Sequence, residues 1–181
     1  MRRGFRRALR RAMTPNVPPI LQRANQWMAT GQYAEAAAAY EQLAQAAEGR
    51  DGPRAPVFFI HAGRARFLAG QSAQGLSHLK RGLGLFAARG QWGELHRAGR
   101  RAVDELNERG FESEAAQVEA YLTATLPPAF TPPSPQAAAR KPILPTHCPS
   151  CGGAVLPDEV EWLDEVTAEC SYCGSPLRGG D

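Results

Sequence analysis

Cysteine is absent from the first 147 residues of this 181-residue chain, and all four cysteines fall in the last 34. That distribution excludes a disulfide-built secreted scaffold, which spreads its cysteines through the part it must staple. Lysine is almost missing too: Lys80 and Lys141 stand against 19 arginines. With alanine and glycine so abundant, this ratio looks like genome base composition, which weakens functional readings of arginine. No stretch approaches the roughly 18 apolar residues of a membrane-spanning helix. What is present is ordinary for a globular protein. Hydrophobic residues at 43% and charged ones at 22% exclude wholesale disorder, and the length suits one ordinary domain plus a small one.

The net charge of +3 hides a division. Residues 1–11 carry six arginines and no acid, whereas residues 147–181 carry seven acids and one base, Arg178. In "MRRGFRRALRRAM", Phe5, Ala8, Leu9, Ala12 and Met13 share one helical face, with Arg2, Arg3, Arg6, Arg7, Arg10 and Arg11 opposite. The arginine pair resembles a twin-arginine export signal, but Arg10, Arg11 and Pro15 interrupt any apolar segment, so the expected location is cytoplasmic. Residues 1–14 therefore read as a basic amphipathic arm. It suits an anionic membrane or nucleic-acid phosphate, and equally a helix cap or a contact with the acidic end of the chain.

Three stretches repeat one pattern: "MATGQYAEAAAAYEQL", "FLAGQSAQGLSHLKRG" and "NERGFESEAAQVEAYL". Gly31, Gly70 and Gly110 each end one helical periodicity and precede another, as a glycine at a helix C-terminus does. Before Gly31 the apolar face is Ile20, Leu21, Ala24, Trp27 and Met28; after it, Tyr33, Ala36, Ala37, Tyr40, Leu43 and Ala44. The second unit has Phe59, Ala62, Gly63 and Phe67, then Leu76, Leu79, Leu83 and Phe86; the third has Leu95, Ala98, Ala102, Val103 and Leu106, then Ala115, Val118, Tyr121 and Leu122. The fold class expected is mainly α, three stacked helical hairpins over residues 17–126, followed by a small C-terminal β module.

These units resemble tetratricopeptide repeats. The first matches with Gly31, Tyr33, Ala36 and Tyr40, and the second with small residues at Gly63, Gly75 and Gly82. The third departs, since Phe111 directly follows Gly110 and Val103 replaces a small residue. The period exceeds that family's 34 residues, in part through the loop "EGRDGPRAP". The resemblance implies a scaffold whose concave face binds a peptide or a partner helix. Between Arg54 and Arg101 lie nine basic residues and one acid, and between Ala102 and Thr125 six acids and one base, so an anionic partner would choose the middle unit.

Residues 127–146 are proline-rich and predict a semi-rigid, exposed linker. Beyond it Cys148 and Cys151 are followed by Cys170 and Cys173, a C-x2-C-x18-C-x2-C pattern. Two such pairs deliver four thiolates to a tetrahedral metal site, and Gly152 and Gly174 give each turn the backbone freedom it needs. Val160, Trp162, Val166 and Ala168 alternate with polar residues, suiting a small hairpin sheet. Some 35 residues bury too little to fold alone, and bound Zn²⁺ supplies about 10 kcal/mol or more.

"CPSCGG" and "CSYCGSPL" resemble the knuckles of zinc ribbons. The resemblance implies that residues 147–181 form such a ribbon around one structural Zn²⁺ held by Cys148, Cys151, Cys170 and Cys173, with iron of the rubredoxin kind using the same ligands. A redox dithiol needs only one pair, and His147 is surplus to a four-sulfur site. His61, His78 and His96 have no nucleophile and orienting acid in a recognisable arrangement, so no catalytic residues are assigned. The expected function is a non-enzymatic adaptor working by protein–protein contact, with no small-molecule substrate. The alternatives are a nucleic-acid-associated factor gripping phosphate through the arm and middle unit, and a peripheral membrane protein.

Overall fold

A computed structural model describes residues 17–131, 142–157 and 160–179. The basic arm, with its six arginines, lies outside them. The described chain is mainly α with a small β part. Six helices form three antiparallel hairpins: α1 (Pro19–Ala29) with α2 (Tyr33–Glu48), α3 (Ala55–Leu68) with α4 (Ser72–Ala88), and α5 (Trp92–Glu108) with α6 (Glu112–Thr125). Each helix packs on the next in sequence, and α4 also reaches α6. The turn glycines Gly31, Gly70 and Gly110 have φ of 79°, 75° and 80°, the left-handed turn in which glycine meets no Cβ clash. The loop after α2 closes when the Gly52 amide donates to the Ala47 carbonyl at 2.7 Å.

Small residues decide how closely α3 and α4 approach. A Cβ on Gly63 would lie 2.9 Å from the Gly75 carbonyl oxygen, and one on Gly82 would lie 2.7 Å from the Pro56 carbonyl oxygen. Ten of the fourteen residues of α3 are buried, so this helix is enclosed on every side rather than along one stripe. One core joins α3 to α4, α5 and α6 through Ile60, Phe67, Leu79, Leu83, Leu95 and Leu122. The other joins α1, α2 and α3 to the cysteine-bearing end of the chain, where Leu21, Tyr40, Phe58 and Phe59 share one cluster with Cys148, Cys151, Tyr172 and Leu177.

That C-terminal module holds a three-stranded antiparallel sheet, β1 (Glu161–Trp162), β2 (Thr167–Glu169) and β3 (Pro176–Arg178), in the order β1-β2-β3. Val160 and Ala168 are buried as alternation predicts, but Val166 is 53% exposed. Asp164 explains the break. Its Oδ1 accepts from the amides of Val166 and Thr167 at 3.0 and 2.7 Å, folding the chain into a turn where the pleat would have continued. Leu144, from the proline-rich stretch, is buried in the module's core.

The arginines of the middle hairpin do not form an open basic patch. Arg66 donates through Nε and Nη2 to both oxygens of Glu41, at 2.6 and 2.8 Å, and His78 Nε2 lies 2.8 Å from the same carboxylate. Arg81 pairs with Glu48, Arg89 with Asp51 at 3.0 Å, Arg64 with Glu105 at 2.9 Å and Arg100 with Glu119 at 2.8 Å. These pairs stitch neighbouring elements together across the stack.

Glu41 makes one of these contacts testable by pH. Burial alone would raise its pKa, but the hydrogen bond from Arg66, then its charge and His78, bring the carboxyl below its ordinary range. The stabilisation is therefore present above the unfolded-state value near 4.3 and is lost as pH falls through the lower folded value. Glu41→Gln should destabilise by roughly 1–2 kcal/mol at pH 6, and the gap from wild type should be smaller at pH 3, below the ordinary carboxyl value. Thermal melts at both pH values check this; an equal gap at each would contradict it.

Candidate metal centre

The first knuckle is built by a short ladder. The Cys148 amide donates to Gly153 O at 2.8 Å, Gly152 to Cys148 O at 2.8 Å, and Val155 to Thr146 O at 2.9 Å. The second repeats the scheme, with Cys170 donating to Ser175 O at 2.9 Å and Gly174 to Cys170 O at 2.8 Å. Gly152 and Gly174 have φ of 72° and 74°, so each knuckle needs the conformation that its glycine alone reaches without strain.

All four sulfurs are buried and lie within 4.8 Å of one another. Cys148 Sγ is 3.7 Å from Cys173 Sγ, and Cys151 Sγ is 3.8 Å from Cys170 Sγ. A tetrahedron with metal–sulfur bonds of about 2.3 Å has edges of about 3.8 Å, so the donor set fits a metal ion. The spacing suits zinc or iron alike, and far exceeds the roughly 2.05 Å of a disulfide. Hydrogen bonding among the thiols splits them into two acidified and two held protonated. Cys148 is lowered to about 6, first by hydrogen bonding with the Cys151 sulfur, and Cys173 lies lower still, first through Cys148. Cys151 and Cys170 are pushed up, each first by Cys148. Binding a cation as thiolates would require all four to lose their protons. Around them, Ser175 N approaches Cys173 Sγ at 3.5 Å and Ser175 Oγ lies 3.1 Å away, and both are donors once the sulfur is a thiolate. His147 is exposed, 3.2 Å from Thr146 Oγ1, and stands apart from the sulfurs as expected.

The module is seated on the helices, a relation that spacing did not disclose. Asn25 Nδ2, in α1, donates to Cys151 O at 2.7 Å, and Tyr40 OH donates to Asn25 Oδ1 at 2.6 Å. Burial, ahead of the neighbouring Tyr172 and Cys151, raises the Tyr40 phenol well above its ordinary value, so it keeps the proton this chain requires. Gln22 Nε2 reaches Ser150 O at 3.0 Å. The His61 ring stacks on Tyr172 at 4.0 Å and 8°, and Arg54 pairs with Glu169 at 3.1 Å. Burial, then the charges of Arg64 and Arg101, push the His61 imidazole well below its ordinary pKa, so it sits there neutral. The available signal was a polar residue on an apolar stripe: Asn25 lies four residues after Leu21 and one after Ala24.

The described residues thus define a helical protein with a four-cysteine, metal-competent module clamped to its first two hairpins. No family model, no curated protein and no solved structure matches the chain. No helix among the described residues is long and apolar enough to cross a membrane.

Proposed function

We propose that the chain is a non-enzymatic adaptor, in which a zinc-ribbon-like module bound to a tetratricopeptide-like stack acts through protein–protein contact. The observation that carries this reading is the closed donor set. Four buried sulfurs within 4.8 Å fill a tetrahedral shell with protein atoms, leaving no position for water or substrate, so the ion serves to fold the module. Zinc is the ion proposed, because it accepts four thiolates in a tetrahedron without redox chemistry. The ion pairs of Arg66, Arg81, Arg89 and Arg100 support a protein partner over phosphate, since those cations are already neutralised from within the fold.

Purified protein should carry one zinc per chain by plasma mass spectrometry. On beads, the metal-loaded chain should retain a defined set of proteins after nuclease treatment. A mobility shift with RNA or duplex DNA that collapses between about 50 and 200 mM salt, and that vanishes on deletion of residues 1–13, would sink the adaptor reading in favour of a nucleic-acid factor.

A further inference from the structure

The seat beneath the cysteine module combines a shared apolar cluster with buried polar groups. Only four polar residues are buried among the described residues, and two of them, Asn25 and His61, lie on the face of α1 and α3 that the module covers. His61 Nε2 has no hydrogen-bond partner among the described residues. An imidazole nitrogen that water would satisfy in the open is thus buried without a partner, on a ring whose face is stacked by Tyr172. A cleft of about 250 Å³ runs along the join between Pro18, Leu21, Arg54, Phe58, Tyr172 and Cys173, so the seat is not completely filled. Buried polar groups and an incompletely filled join are features of surfaces that can separate.

We propose that the α1–α3 face is a peptide-docking surface, that the cysteine module occupies it as an internal ligand, and that metal loading keeps it occupied. This rests on the adaptor reading and names its partner by chemistry. The occupant lays Tyr172 on His61, offers Glu169 to Arg54 and gives a main-chain carbonyl to Asn25. The matching partner is an acidic segment bearing an exposed aromatic ring. The gating follows from where these contacts originate. Ser150 and Cys151 belong to the first knuckle, Tyr172 to the second, and Glu169 to the end of β2 that leads into the second. Only closure of the four sulfurs presents both knuckles to the helices at once. Without the ion the module is too small to hold that shape, and the face opens.

The probe is a labelled peptide of residues 167–175 with serine at both cysteine positions, titrated into the full chain and followed by fluorescence anisotropy. Binding to chelator-stripped protein should be at least tenfold tighter than to metal-loaded protein, and His61→Ala should remove that gain. Amide hydrogen exchange in α1 and α3 should accelerate at least tenfold on stripping, while α5 and α6 stay protected. His61→Phe keeps the stacked ring and deletes the unpartnered nitrogen, so it should slow metal loss to chelator several-fold. Unchanged protection of α1 and α3 after stripping overturns the gating, and open helices that ignore the peptide overturn the partner chemistry. Either failure leaves the adaptor reading standing, because that is tested on the metal-loaded chain.

Discussion

Replacing Cys170 with serine is expected to abolish stoichiometric metal and to loosen helices that contain no cysteine. Three sulfurs and a hydroxyl hold zinc poorly, and a structural ion contributes on the order of 10 kcal/mol to a module of this size. Spacing alone suggests that the loss would stop at the proline-rich stretch and leave the helices untouched. The shared cluster of Leu21, Tyr40 and Phe58 with Cys148, Cys151 and Tyr172 says otherwise. When the module unfolds, those side chains regain water contact and Asn25 loses the Cys151 carbonyl. The first hairpin should lose about 2–4 kcal/mol, by analogy with stripping a few large side chains of their cover. Plasma mass spectrometry reads the metal. A melt followed at 222 nm should split into two steps, the earlier belonging to α1 and α2. A single transition at the wild-type midpoint in metal-free Cys170→Ser would refute the coupling.

The second large effect concerns a glycine whose replacement ordinarily helps. Ala in place of Gly within a helix gains about 1 kcal/mol of propensity. At Gly82 the new Cβ would sit 2.7 Å from the Pro56 carbonyl oxygen and 2.9 Å from Ile60 Cγ1. The first neighbour is backbone and cannot swing aside, so α4 must back away from α3 along a well-packed seam. Overpacking of this sort costs about 1–3 kcal/mol, and more where backbone must move. Gly82→Ala is therefore expected to lower stability by about 2 kcal/mol net. Gly93 is the control: it lies near the start of α5, and a methyl group added there would meet nothing within 4 Å. Gly93→Ala should be neutral or stabilise by up to about 1 kcal/mol. Denaturant melts of both variants decide the matter; the same sign for the two would show that crowding does not set the α3–α4 distance.

Glycine also shows what was legible in the sequence. Gly63, Gly75 and Gly82 are poor helix residues at helical spacing, and a close helix crossing is the physical reason to keep them. The cysteine pairs were legible because metal geometry forces short, glycine-ended knuckles. The helical pairing was legible because Gly31, Gly70 and Gly110 punctuate periodic apolar runs. What escaped was long-range. Asn25 and His61 read as ordinary polar helix residues, since nothing local says that a module 126 residues away from Asn25 covers them. The middle hairpin reads as a basic surface for a similar reason: Glu41 and Glu48 neutralise Arg66 and Arg81 from 25 and 33 residues away. Val166 misled because a side chain, Asp164, rather than the alternation rule, fixes the backbone there.

The position of the closing piece in the chain has a consequence during synthesis. Asn25 leaves the ribosome 126 residues before its partner Cys151, which at about 5–20 residues per second is an interval of roughly 6–25 seconds. For much of that time Leu21, Tyr40 and Phe58 stand uncovered on a nascent polypeptide, and cover is completed only when Cys173 also emerges and the four sulfurs can close on an ion. A cell short of that ion would prolong the exposure indefinitely, leaving full-length molecules in the condition of unfinished ones, open to chaperones and proteases.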